Sequence, residues 1–162
     1  MIKPVVFLDA DVIFAGAAAP TEHSASHVIL RLGEITLLQC VTSVQVVTEV
    51  ERNMGTKLPA KLPELQLLLS RSLKVLPDPE PQVLSRFSRQ ADPKDLPILV
   101  AALQHGCPYL LTFNLRHYQP PHDVIRFLRP GDFLTVVRGL LTQLSSPGTP
   151  EKPQVGDSAA EN

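Results

Sequence analysis

Cysteine is scarce in this chain of 162 residues: only Cys40 and Cys107 occur, both in apolar surroundings. Two such residues exclude a disulfide framework and a thiolate zinc site, and they read as core packing in a reduced, cytoplasmic setting. Long apolar runs are also missing. None approaches the roughly 20 residues that cross a bilayer as a helix, so no membrane association is expected. The apolar run Val5-Val6-Phe7-Leu8 is cut by Asp9 and Asp11. That is too short for the core of a signal peptide, although Ala15-Gly16-Ala17 resembles a cleavage site, so export is not expected. Net charge is the third thing lacking. A formal charge of -1 creates no field over the whole molecule, so a polyanion must be held by a local basic patch or by metal. What is abundant is apolar surface: 44% hydrophobic and 19% charged residues suit one folded domain with a real core.

Strand and helix signals alternate along the chain. Val5–Leu8 reads as a strand buried on both faces of a parallel sheet. Ser24 or Ser26 caps a helix through Val28, Ile29, Leu30 and Leu32, with Gly33 as its end. Ile35–Val41 reads as a second strand, and Thr42 or Ser43 caps a helix carrying Val46, Val47, Val50 and Met54, stopped by Gly55. Further on come a helix over Leu62–Ser72, a short strand over Leu73–Leu76, a proline-stiffened connector, and a helix over Val83–Gln90. Asp92-Pro93-Lys94-Asp95 opens a helix that ends at Gly106. Strands over Pro108–Thr112 and Val124–Leu128 follow, then a proline-started helix from Pro130 to Leu144. This order predicts a three-layer α/β/α fold with a central, mainly parallel sheet. A single domain over residues 1–144 is expected, with a disordered tail over 145–162, where large apolar residues are almost absent.

Four oxygen-bearing side chains stand beside apolar runs: Asp9 after Val5–Leu8, Glu49 between Val47 and Val50, Asp95 before Leu96–Val100, and Asn114 after Tyr109–Phe113. A carboxylate in such a place is costly to desolvate without a partner, and a divalent cation serves several carboxylates at once. In an α/β sheet, ligands gather beyond the carboxyl ends of strands. Convergence there would make a site for Mg2+ or Mn2+ suited to phosphate-ester hydrolysis. The plainer alternative is that Asp9 and Asp95 cap helices and that Glu49 is a surface charge.

Five segments decide between these readings. Val6–Val12, Thr48–Arg52, Ala91–Leu99, Tyr109–Tyr118 and Pro130–Leu134, in this order and with this α/β pattern, resemble a PIN domain of the VapC-like toxin nuclease subgroup over about residues 2 to 144. The resemblance implies a metal-dependent endoribonuclease, with Asp9, Glu49 and Asp95 at the family's acidic, metal-holding positions. It implies Mg2+ or Mn2+ as cofactor and RNA as substrate. It also implies an antitoxin protein as partner, with the chain as toxin, and a homodimer. The fourth acidic position falls on Asn114, which offers an oxygen without a charge, and His117 stands where many members carry a second carboxylate in the same stretch. That departure supports an alternative reading, a PIN-like binding module that is catalytically weak or inactive.

Asp11 is an auxiliary ligand or a helix-start carboxylate, and Thr112 an auxiliary hydrogen-bond donor or a plain strand-end threonine. His117 completes the auxiliary set. Asp92 reads as a turn residue before Pro93. His23 and His27 have helical metal spacing, but surface histidines are the expectation. Arg86, Arg89, Lys94, Arg116, Arg126 and Arg129 are candidates to line a nucleic-acid groove, but such scattered basic residues are read as solvated surface charges. Asp9-Ala10-Asp11-Val12 also resembles the first motif of haloacid-dehalogenase-like phosphatases. Those enzymes need a later lysine, and after Thr112 only Lys152, in the tail, is available.

Overall fold

The computed structural model describes residues 3–21, 23–119 and 123–145. Its centre is β1, Val5–Leu8, in which Val6, Phe7 and Leu8 have no exposed surface. Burying each large side chain contributes roughly 1.5–3 kcal/mol, which explains why the most apolar run in the chain takes the middle of the sheet. Hydrogen bonds run from β1 to both neighbours. β2 (Gln39–Ser43) pairs with it on one side, with Val6 opposite Cys40, and β4 (Tyr109–Leu111) on the other, with Phe7 opposite Leu110. β3 (Leu73–Leu76) and β5 (Arg126–Leu128) complete a parallel five-stranded sheet of order β3-β2-β1-β4-β5.

That order places the site. From β1 the chain steps outward through β2 to β3, then crosses back to β4 on the opposite side of β1. Connections therefore leave the carboxyl ends of β1 and β4 in opposite directions and open a crevice between them. Right-handed crossovers set α1 (Ala10–Ala18), α2 (Ala25–Glu34), α3 (Val44–Lys57) and α4 (Leu62–Ser72) on one face. There they pack on one another, and α7 (Pro130–Ser145) joins them against α2. α6 (Leu96–Gln104) covers the other face, burying Ile98 through Ala102, with the short α5 (Pro81–Leu84) beside it.

Caps explain most boundaries. Ser24 and Ser43 accept from the backbone N–H groups of His27 and Val46 at the starts of α2 and α3, and Gly106 takes φ +68° just past α6, as a helix-ending glycine should. Gly33 and Gly55 do not stop their helices, which run to Glu34 and Lys57. Gly33 serves close approach instead: a Cβ there would lie 2.7 Å from the Ser72 carbonyl oxygen and 2.9 Å from Cys40 Sγ. β2 begins at Gln39 rather than Ile35, because Thr36 adopts φ 65° and the Leu37 and Leu38 N–H groups turn back to the Leu32 carbonyl. Ile35 and Leu37 are exposed.

The helix expected over Val83–Gln90 is shorter. It comprises α5 and a 3-10 turn over Ser85–Phe87, ended by Arg89 at φ 74°. α1 carries start signals in Asp9 and Asp11 but no periodic one, since Ala10, Val12, Ile13, Gly16 and Ala17 are all buried and nearly every other residue is small or apolar, leaving little contrast between faces. Of the tail expected over 145–162, Ser145 closes α7, and residues 146–162 lie outside the described residues.

Candidate metal centre

Asp9 leaves β1 at its carboxyl end and is the N-cap of α1, with Oδ1 accepting from the Ala10 N–H at 2.7 Å. Its Oδ2 accepts from the Thr112 hydroxyl at 3.0 Å and from the Tyr118 hydroxyl at 3.0 Å. Only 7% of the residue is exposed. The strand pairing makes this possible, since the Asp9 N–H donates to the Leu111 carbonyl and so registers the ends of β1 and β4. Burial, followed by the charges of Asp9 and Asp95, pushes the Tyr118 phenol far above its ordinary range, so it remains a donor. Tyr118 is stacked on Phe127 with ring centroids 5.1 Å apart. Sequence reading did not single it out, because a lone tyrosine in a loop carries no spacing signal.

Asp11 sits in the first turn of α1 and ties the β4 loop down. Its Oδ2 accepts from the Phe113 N–H at 2.9 Å and the Asn114 side-chain amide at 3.1 Å. Its Oδ1 is buried with no hydrogen-bond partner. Desolvation first, and then the Asp9 charge, raise the Asp11 carboxyl to about 6, against the pull of the donors at Phe113, Val12 and Thr112. It is thus both the expected helix-start carboxylate and a loop anchor. Thr112 is fully buried and also accepts from the Asn114 N–H at 3.1 Å. Asn114 is exposed, and its side-chain amide donates to Asp11 Oδ2.

The other half of the centre comes from α3 and the start of α6. Asp95, 9% exposed, precedes α6, and its Oδ2 meets His117 Nδ1 at 2.9 Å. His117 Nε2 lies 3.9 Å from Asp92 Oδ2. These contacts exist because Ala91 forms an antiparallel bridge with Tyr118 and the Asp92 N–H donates to the His117 carbonyl at 2.8 Å. Asp92 is therefore more than a turn residue. Among the described residues, Asp92, Asp95 and His117 form a group whose ligand atoms lie within 4.8 Å of one another. Burial chiefly, then the Asp9 charge, raises the Asp95 carboxyl, opposed by the His117 hydrogen bond and the charges of Lys94 and His117. Glu49, half-buried on α3, is raised likewise by burial, then by Asp9 and Asp95, with Lys94 and Arg52 opposing.

The structure thus brings Asp9, Glu49 and Asp95 into mutual electrostatic range, and Asn114 is hydrogen-bonded to Asp11 and Thr112 beside them. An open groove of about 500 Å³ runs along Glu49 and Asp95. Close carboxylates that raise one another are stabilised by a cation, and oxygen donors with one imidazole beside them suit Mg2+ or Mn2+. The residues present fit such an ion.

Of the other candidates, His27 has structural work and the basic residues stand at the surface. His27 Nδ1 contacts the Gly16 carbonyl oxygen at 3.1 Å, and His23 is exposed. Arg86, Arg89, Lys94, Arg116, Arg126 and Arg129 are all exposed, and Arg126 lies over the Tyr109 ring. Burial raises the Cys40 thiol to about 12 and the Cys107 thiol to about 11, in keeping with unreactive core positions. Among the described residues, no helix is long and apolar enough to cross a membrane.

Comparison with known proteins agrees with this architecture. No curated protein matches the chain. A chain in the crystal structure of VapBC2 from Rickettsia felis, bound to a DNA fragment from their promoter, superposes with a TM-score of 0.55 at 15% identity. The match covers 77% of this chain and 98% of that one, and at such identity it shows the fold alone. The PIN domain family model matches residues 5–116, from the first residue of β1 to the loop beyond Asn114. The chain belongs to the PIN domain family.

Proposed function

We propose that this chain is a divalent-metal-dependent endoribonuclease that hydrolyses phosphodiester bonds of RNA, and that it acts as the toxin of a toxin–antitoxin pair. One observation carries the catalytic part: Glu49 and Asp95 line one open groove, and ligand atoms of Asp95, Asp92 and His117 lie within 4.8 Å of one another. The toxin assignment rests on the fold shared with the VapBC2 chain. An antitoxin protein and a second copy of the chain are its expected partners, in the cytoplasm.

Asp9, Glu49 and Asp95 hold the ion in this reading. A bound Mg2+ or Mn2+ supplies Lewis-acid stabilisation of charge developing on the phosphodiester and activates water for attack. Ala10 N–H, Thr112 and Tyr118 fix both oxygens of Asp9, so its carboxylate is oriented before anything binds. His117 aligns Asp95. Asp11 holds the loop after β4 in place through the Phe113 N–H and the Asn114 amide.

Cleavage of a single-stranded RNA with manganese, and with chelator instead, tests the reading. Wild type should cut weakly, Asp9→Asn should abolish cutting, and Asn114→Asp should raise activity or manganese affinity by restoring a charged ligand. The silent binding module is favoured by a specific observation, the engagement of Asn114 with Asp11 and of His117 with Asp95. An inert wild type that Asn114→Asp does not rescue selects that module.

A further inference from the structure

We propose that Arg52 and Lys94 form a phosphate clamp that seats single-stranded RNA in the groove beside Glu49 and Asp95. This rests on the nuclease reading above and names the residues that would hold the substrate. A centre built from carboxylates repels RNA, and a chain with a net charge of -1 has no overall field to overcome that repulsion. Cations must therefore stand in the groove itself, and two do. Arg52 and Lys94 both line it, Arg52 one turn beyond Glu49 on α3 and Lys94 directly before Asp95.

Their place in the groove, combined with side chains that no partner among the described residues holds, separates them from other basic residues. Arg31 pairs with Glu34, Lys57 lies over the Phe14 ring, and Lys61 donates to the Ala18 carbonyl. Neither Arg52 nor Lys94 makes an ion pair within 4.0 Å among the described residues. The groove's other donors are engaged: Gln45 N–H donates to Asp78 Oδ1 at 2.9 Å, and the Thr48 hydroxyl to the Val44 carbonyl at 2.9 Å. The Gln45 side-chain amide donates to the Lys94 carbonyl at 3.0 Å, tying α3 to the Lys94 loop and fixing the two cations' supports relative to each other. Both line the groove with Glu49 and act on its carboxyl through charge without forming an ion pair to it. Guanidinium and ammonium groups left free beside an ion site are the donors that a phosphodiester lacks elsewhere in the groove.

The test measures binding of a fluorescein-labelled single-stranded RNA by anisotropy over a salt series, in chelator so that no cleavage occurs. Arg52→Gln and Lys94→Gln should each weaken binding about threefold to tenfold and flatten the plot of log affinity against log salt by about 0.7, the value of one lost phosphate contact on a single strand. Lys3→Gln, at the amino edge of β1, should leave both quantities unchanged. If the two cations only neutralise carboxylates, their removal tightens manganese binding and leaves the RNA salt slope intact, and that result overturns the clamp. Equal losses from Lys3→Gln, or no salt-dependent RNA binding by wild type, also overturn it. The two readings fail separately. Clamp-dependent binding without cleavage in any metal removes the nuclease, whereas cleavage with unchanged KM in the R52Q/K94Q double variant removes the clamp alone.

Discussion

The two halves of the centre are built differently. On the β1–β4 side, Asp9 and Asp11 receive hydrogen bonds from Ala10, Thr112, Phe113, Asn114 and Tyr118, and only Asp11 Oδ1 is left without a donor. On the α3–α6 side, Glu49 and Asp95 border an open groove, and the hydrogen bond found for their carboxylates is that from His117 to Asp95. The first half works as a scaffold that fixes two strand ends. The second is left unsatisfied for something that arrives from solvent. The same residue type thus does opposite jobs according to how many donors the fold aims at it.

The largest effect that sharpens this contrast is ion binding. Manganese at about a hundredfold over its dissociation constant should stabilise the protein by about 2.7 kcal/mol, read as a rise in melting temperature that chelator reverses. Glu49→Gln and Asp95→Asn should each remove most of that rise. An unchanged melting temperature in wild type would end the idea that the open half awaits a cation.

Next in size comes the scaffold itself. Asp9→Ala removes an N-cap, leaves the buried Tyr118 hydroxyl without its acceptor and takes the shorter of two acceptors from Thr112, a loss of about 2 kcal/mol in metal-free urea unfolding even after the relief of repulsion. Glu49→Ala should change stability by less than about 0.5 kcal/mol or raise it, since repulsion falls and no hydrogen bond is lost. Equal losses from the two variants would erase the distinction.

Acidity gives a smaller signal of fixed sign. Asp11 has a folded value raised to about 6 from 3.8, so its neutral form is favoured in the folded state. Its contribution is fully present below pH 3.8 and is lost as pH rises through about 6. Metal-free protein should therefore gain about 1 kcal/mol between pH 7.5 and pH 5, after allowance for solvent screening, and the raised carboxyls of Glu49 and Asp95 act in the same direction. Asp11→Asn should flatten the Asp11 part of the profile. A stability that falls steadily on acidification over this range would contradict the assignment. Of similar size is Tyr118→Phe, which removes one donor from Asp9 and should cost about 1 kcal/mol, measured by the same unfolding.

Legibility followed the physics of each signal. β1, α3 and α4 could be read because burial on both faces, or on one helical stripe, shows in the sequence. α1 could not, because most of its faces are small or apolar. β2 was anticipated too early, since Ile35 and Leu37 look like strand residues and only the left-handed turn at Thr36 sends them to the surface. Asp9, Glu49 and Asp95 stood out as charges beside apolar runs. Asp92 and Tyr118 gave no such warning, as their roles depend on an antiparallel bridge between segments far apart in the chain.

By itself, the order of apolar runs, caps and breakers determined the alternating α/β chain and its parallel sheet. It also determined which carboxylates would be expensive to bury, since composition and local pattern decide both. Only the tertiary structure decided which side of the centre is hydrogen-bonded shut and which stays open. Crossing back from β3 to β4 sets Asp9 beside Thr112 and Tyr118, and the Ala91–Tyr118 bridge sets His117 on Asp95. Those partners are long-range in sequence, and hydrogen bonds between them exist only after the sheet has chosen its order.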